Sequence, residues 1–247
     1  KISFLSPARG SEKMPRKSES LGWGIKREGR SLWTRNAVKG TSVRGERRKK
    51  EGRIEWRFWN PTKSKVAASI LRTKQDPRKM IPEPGSTCLY LGASGGGTVS
   101  HIHDIVCGSG NHHSGQVVAV EISPRMTRDL ASLSVNRSGL IPIMGDARNN
   151  EEIAPFIRSK ADWIHQDLSI PDQAETFVNT TMDFLCDDGI GLLSLKAASE
   201  RYSDGDVDSR FMKAEEIIKN SDLQLIERID LKGLEEKHVV FVCKLNL

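Results

Sequence analysis

The sequence predicts an α/β protein whose mostly parallel sheet is covered by helices, closed by a terminal antiparallel hairpin, and preceded by a small β-rich unit. Three observations predict it. Between residues 88 and 195 short, continuous apolar runs alternate with helical windows, as in a sheet buried on both faces. Beyond residue 220 the alternation stops, and two apolar runs are joined by a short polar loop. Ahead of residue 60 glycines recur between brief apolar stretches, where hairpin turns would need them.

In chain order, residues 1–20 read as an extension outside the fold, a solvated tail to about Glu19. Met14 is the first methionine, and residues 1–13 are left out of the fold argument. Residues 21–60 form the expected small β domain, from Trp33-Thr34, Ala37-Val38, Ser42-Val43 and Ile54 to Trp59, punctuated by Gly29, Gly40, Gly45 and Gly52. Residues 61–247 form the larger domain. Pro61 suits the first turn of a helix through Val66, Ala67, Ala68, Ile70 and Leu71. After a breaker stretch at 77–85, strands are expected at 88–91, 117–122, 140–144, 163–165 and 190–195. Helices are expected at 97–106, 123–136, 150–158, 172–186 and 206–220. Residues 223–229 and 238–245 make the final hairpin.

Charge is unevenly spread along the 247 residues. Residues 1–60 carry 17 Lys/Arg against 6 Asp/Glu, whereas the remainder is mildly acidic. A basic front on a near-neutral body implies a polyanionic partner, RNA foremost, or else a solvated tail. No apolar run approaches the length of a membrane span. Cys88, Cys107, Cys186 and Cys243 are scattered without a C-x-x-C pair, which reads as reduced thiols of a cytoplasmic protein. His101, His103, His112 and His113 lie close in sequence, but only Cys107 is near them, so no metal site is expected.

The chemistry gathers at predicted strand ends. Leu91-Gly92-Ala93-Ser94-Gly95-Gly96-Gly97-Thr98 takes a strand through a glycine-rich turn into a helix. Glycines there admit a close-lying ligand, and the spacing is not the dinucleotide G-x-G-x-x-G pattern. The second strand ends in Glu121, placed to accept from both hydroxyls of an adenosine ribose. The third ends in Gly145-Asp146-Ala147-Arg148, where a carboxylate can hold an adenine amine, and the fourth in Gln166-Asp167. One acidic strand end is an ordinary cap; three facing one crevice point to a nucleoside cofactor.

An ordered set of motifs resembles the fibrillarin family. Glu55-Trp56-Arg57-Phe58-Trp59-Asn60-Pro61 with Ser64-Lys65-Val66-Ala67-Ala68 is similar to that family's segment between its two domains. The glycine loop with Thr98-Val99-Ser100-His101 and Asp104 follows, then Val118-Ala119-Val120-Glu121-Ile122-Ser123, Gly145-Asp146-Ala147-Arg148, Gln166-Asp167, Pro171-Asp172-Gln173, Lys196-Ala197 and Lys237-His238. The resemblance implies a class I, Rossmann-like methyltransferase that uses S-adenosyl-L-methionine to methylate ribose 2′-hydroxyls of rRNA, or of tRNA. It implies cofactor contacts at Gly92, Ala93, Gly97, Thr98, Glu121, Ile122, Asp146, Ala147, Asp167, Leu168, Ser169 and Ile170. The catalytic set implied is Lys65, Asp167, Lys196 and His238. In that set Lys196 would be the proton acceptor, its pKa lowered by partial burial and nearby cations, and Asp167 would orient it. Lys65 and His238 would position the ribose and its phosphates.

The implied partners are a C/D-box guide RNA with its target rRNA, a Nop-type scaffold protein and a kink-turn-binding protein, with no membrane. Trp33, Trp56 and Trp59 read either as a scaffold-facing aromatic patch or as the small domain's own core. The chain departs from the family at Gly95 and Gly97, where Ser and Thr are usual, at Ile170, where Gln is usual, and in extra residues within 107–114. It lacks a Gly/Arg-rich arm and so is similar to the archaeal form. A stand-alone methyltransferase on another RNA or a small molecule, and a non-catalytic assembly subunit, stay open on sequence alone.

Overall fold

The computed structural model describes residues 17–199 and 206–245. The first sixteen residues of the expected extension lie outside that range.

The front of the chain is a five-stranded antiparallel sheet of β1 (Ser18–Gly22), β2 (Ile25–Glu28), β3 (Ser31–Arg35), β4 (Arg48–Glu51) and β5 (Ile54–Trp59), in the order β1-β2-β3-β5-β4. Its first strand begins inside the segment assigned to a tail, with Ser18, Glu19 and Ser20 paired to Glu28, Arg27 and Lys26. Three exposed polar residues on an edge carry no apolar alternation, so the sequence hides them. Gly52, at φ +58, begins the two-residue turn joining β4 to β5. Ala37-Val38 and Ser42-Val43 are not strands; they belong to the connection between β3 and β4.

The inward face of β5 carries Glu55, Arg57 and Trp59. Two of the three are charged and each has its own partners: Arg57 reaches Ser100 and Asp104 on the helix that follows the glycine loop, whereas Glu55 accepts from Asn36 and Gly40 within the small sheet's own connection. Trp59 is 1% exposed and Trp33 7%, so these two belong to the protein's own core. Trp33 packs on Phe58 beneath Arg47 and Lys49.

The rest of the chain begins with α1 (Lys65–Arg72), capped by Ser64, whose side chain accepts from the Ala67 amide. Pro61 therefore precedes the helix and lies in a turn. The elements that follow are β6 (Thr87–Leu91), α2 (Gly97–Val106), β7 (Gln116–Glu121), α3 (Pro124–Ser134), β8 (Leu140–Met144), α4 (Asn150–Ile153), β9 (Ala161–Gln166), α5 (Gln173–Phe184), β10 (Leu185–Lys196), α6 (Val207–Lys219), β11 (Leu223–Asp230) and β12 (His238–Leu245). The helix expected at 150–158 shortens to α4, and a 3-10 turn containing Pro155 follows it. The extra residues at 107–114 fold into a short turn whose His112 and His113 rings pack on Trp23 of the β1–β2 turn.

These strands form a seven-stranded sheet ordered β11-β12-β10-β9-β6-β7-β8. Neighbours from β10 to β8 are parallel, and β12 runs antiparallel between β10 and β11. Alternation along the strands makes two cores: Cys88 and Tyr90 face α1, α2 and the small sheet, while Leu89 and Leu91 face α5 and α6. All four cysteines are unpaired. Among the described residues no helix is long and apolar enough to cross a membrane.

Candidate active site

Parallel strands place their C-termini along one rim, and the candidate site lies there. The amides of Gly92 and Ala93 both donate to the Val120 carbonyl at 3.0 Å, folding the loop after β6 across the end of β7. Gly92 has φ +80, and a Cβ on it would lie 2.2 Å from the Asp167 carbonyl oxygen, so both backbone angle and space demand glycine. Ser94 takes a left-handed φ of +49, held by its amide donating to Glu121 Oε2 at 2.7 Å. The other Glu121 oxygen accepts from the Ser123 amide at 2.9 Å. Two backbone donors thus fix the carboxylate at the mouth of the crevice.

The crevice has a volume of about 380 Å³ and is lined by Gly92, Glu121, Ile122, Asp146, Ala147, Asp167, Leu168, Ser169 and Ile170, together with Ser94, Val120, Gly145 and Arg148. Three expected contacts stand apart from it. Ala93 is buried, while Gly97 and Thr98 line a neighbouring pocket of about 260 Å³ between α2 and the small sheet. The Thr98 hydroxyl donates to Ser64 Oγ at 3.0 Å. Asp146 is engaged by Arg148, whose guanidinium lies 2.6–3.1 Å from both carboxylate oxygens and holds its pKa below the usual range. The donor set fits a nucleoside cofactor: a fixed carboxylate for ribose hydroxyls, and a 65% exposed Ile122 beside it offering an apolar face to a purine ring.

Beside the crevice, Lys65 Nζ donates to both oxygens of Asp167 at 2.8 Å. Lys65 is the first residue of α1, and Ser64 fixes that helix end by accepting from Trp59 Nε1 at 3.0 Å as well as from Thr98. Under this pair lie Tyr90 and His165, with ring centroids 4.6 Å apart. Burial lowers the His165 pKa to about 4, although Asp167 pulls the other way.

Lys196 and His238 are register partners on β10 and β12, and the antiparallel course of β12 brings His238 to the same rim. The arrangement differs from expectation at Lys196. Its side chain is exposed rather than partly buried, and Asp167 holds Lys65 instead. What fixes Lys196 is its backbone: its amide donates to Gln173 Oε1 at 3.0 Å, and Gln173 Nε2 donates to its carbonyl at 3.1 Å. Gln173 is fully buried and its carbonyl accepts from Gln166 Nε2 at 2.7 Å. His238 Nδ1 lies 2.8 Å from the Glu236 carbonyl.

Sequence reasoning missed the clamp that holds the small sheet over this rim. Arg57, fully buried on β5, donates to Asp104 on α2 at 2.7 Å and 2.9 Å, and Arg137 reaches the other Asp104 oxygen at 2.7 Å. Burial alone would raise the Asp104 carboxyl, but the two guanidinium groups hold it well below the usual carboxylate range. His101 stacks on Trp59 at 5.1 Å and lies 2.7 Å from the Thr34 hydroxyl, which makes it part of this interface. Arg57 and Asp104 both stand in recognisable motifs, but nothing in their spacing reveals the pairing.

A sequence model described as Fibrillarin matches residues 17–247. The chain belongs to the fibrillarin family. A fibrillarin-like rRNA/tRNA 2′-O-methyltransferase of Methanocaldococcus jannaschii is 36% identical over 223 residues, covering 90% of each protein. Aeropyrum pernix fibrillarin, solved with natively bound S-adenosyl-L-methionine, superposes with a TM-score of 0.76 at 26% identity, covering 92% of this chain and 99% of that one. A chain from a fibrillarin/Nop5p complex superposes with a TM-score of 0.73 at 27% identity, covering 87% of this chain and 94% of its own. The fold of this fibrillarin-family protein is that of class I methyltransferases, with the antiparallel β12 and the separate small sheet read from the sequence.

Proposed function

We propose that this chain transfers the methyl group of S-adenosyl-L-methionine to ribose 2′-hydroxyls of rRNA, or of tRNA, as the catalytic subunit of a cytoplasmic C/D-box guide RNA ribonucleoprotein. The observation that carries this reading is the continuity of one rim: the crevice with its fixed Glu121 opens directly onto the Lys65–Asp167 pair. The relatives' printed activity and bound cofactor support the same reading.

Glu121 holds the cofactor's ribose, Ile122, Asp146 and Ala147 its adenine, and Gly92, Leu168, Ser169 and Ile170 the walls between. Bound S-adenosyl-L-methionine supplies a methyl group on a cationic sulfur, open to in-line displacement. This chain's residues then align the acceptor and remove one proton. Lys65, tied to Asp167 through two hydrogen bonds, is a fixed donor suited to orienting the ribose. Lys196, exposed at the rim and with no ion pair to a carboxylate among the described residues, accepts the hydroxyl proton in its neutral amine form, and His238 steadies the acceptor's backbone. Alignment supplies on the order of 7–11 kcal/mol for well-oriented reactants. Proton removal adds a factor of about 10²–10⁴.

Residues 21–60 act as the small β domain, extended back to Ser18 by β1, and 61–247 as the methyltransferase domain. The solved fibrillarin/Nop5p complex supports a Nop-type scaffold partner, and the guide RNA and kink-turn-binding protein complete the assembly. Tritiated methyl transfer to a target RNA tests the proposal. Labelling should require guide RNA, scaffold and kink-turn-binding protein together. Labelling by the chain alone would make it a stand-alone enzyme, and no labelling with cofactor bound would make it an assembly subunit.

A further inference from the structure

From Gly95 to Gly97 the cofactor loop carries no side chain of its own. The space is filled from the other domain. A Cβ built on Gly95 would lie 1.7 Å from Arg44 Nη2, and one on Gly97 would lie 3.6 Å from Arg44 Cγ. Arg44 thus lays its stem along the start of α2 and its guanidinium across the loop tip.

Its backbone is held firmly. Glu46, in the same connection, accepts from the Val43 amide at 2.9 Å and the Arg44 amide at 2.7 Å. Glu46 in turn pairs with buried Arg57 at 2.5 Å, and Arg57 is clamped to Asp104 on α2. The connection carrying Arg44 is therefore tied to the helix that the cofactor loop opens. The side chain itself is weakly committed: it is 48% exposed, and its carboxylate neighbour, Asp129, lies 3.8 Å away and is itself half-exposed. A cation so placed gains little from such a pair.

Glu121 at the ribose position and Asp167–Lys65 at the transfer rim fix the direction in which the cofactor lies. The neighbouring pocket, lined by Arg44, Ser64, Gly97 and Thr98, is built on the residue before Lys65 and on the end of the same glycine loop. The end of S-adenosyl-L-methionine remote from adenine is an amino acid with a carboxylate.

We infer that Arg44 binds that carboxylate, so that the small domain contributes a residue to cofactor recognition across the domain interface. The inference rests on the reading of the chain as an S-adenosyl-L-methionine enzyme. It gives the clamp a functional consequence, because loosening the small domain would loosen the cofactor.

Calorimetric titration of the full chain with two ligands tests it. S-adenosylhomocysteine keeps the amino acid, and 5′-methylthioadenosine has the same adenosine and thioether without it. Arg44→Ala should weaken the first about tenfold and change the second less than twofold. Gly95→Ala, whose Cβ would displace the guanidinium while leaving the charge, should weaken the first alone to a similar degree. The double variant should be no weaker than Arg44→Ala. Equal losses for both ligands, unchanged affinity for S-adenosylhomocysteine, or additive losses in the double variant would overturn the inference. Unchanged cofactor affinity with lost binding of target RNA would overturn it too, and would assign Arg44 to a phosphate. If the wild-type chain binds neither ligand, it is the cofactor reading itself that fails.

Discussion

At the scale of single residues, the site depends on side chains whose ionisation is set by what surrounds them. His101, His103 and His165 are buried and neutral: burial lowers His103 and His165 to about 4 and holds His101 well below its ordinary value. An unfolded imidazole takes up a proton below about pH 6.5, whereas the buried rings do not until about pH 4. Between those values the unfolded chain binds more protons than the folded one, so stability falls as pH drops. Each ring contributes a slope of up to about 1.4 kcal/mol per pH unit. Urea unfolding at pH 7, 6 and 5 should therefore show declining stability, and His165→Gln should reduce the slope by about one proton. A pH-independent midpoint would contradict the neutral burial of these rings. The acidic strand ends were legible in the sequence because a parallel sheet aligns its strand C-termini, whatever the loops do. The partners of Asp167 and Asp146 were not, because Lys65 and Arg148 reach them through long side chains whose direction no periodicity records.

At the scale of elements, runs of apolar residues bounded by turn signals foretold β8 and β12 to the residue, and α2 began where the glycine loop said it would. Elements with other stabilising contacts were misread. β10 reaches back to Leu185 through acidic and glycine residues that look like a turn, with a register shift before Ile190. α1 starts at Lys65 because Ser64 caps it, not because Pro61 opens it. That cap is also a hub. Ser64→Ala removes the acceptor for the Ala67 amide, Trp59 Nε1 and the Thr98 hydroxyl. Lost capping should cost about 1 kcal/mol. The stranded, buried indole N–H should add about 1–3 kcal/mol, read as a lower urea midpoint. Because Lys65 is the next residue, methyl transfer should fall further than cofactor affinity does. A variant with unchanged stability would show that the hub contributes nothing.

At the scale of the whole molecule, two sheets act as one unit because a charged cluster with no access to water joins them. Removing one member of such a cluster leaves a buried charge uncompensated, typically at a cost of about 3–5 kcal/mol. Arg57→Ala should therefore lower the unfolding free energy by roughly that amount, since Glu46 would lose its guanidinium partner and Asp104 would keep only Arg137 of its two. Differential scanning calorimetry would show it, and a melting temperature within one or two degrees of wild type would mean the sheets are joined by other contacts. The rim bordered by both sheets is where methyl transfer takes place in the proposed reaction. The most direct measurement is an alkaline hydrolysis ladder of target RNA after incubation with the reconstituted complex, comparing wild type and Asp167→Ala at matched occupancy of S-adenosyl-L-methionine. One protected linkage is expected for wild type, at the nucleotide the guide selects, and none for the variant. Equal protection with Asp167→Ala, or no protected linkage with wild type, would contradict the assignment of methyl transfer to this rim.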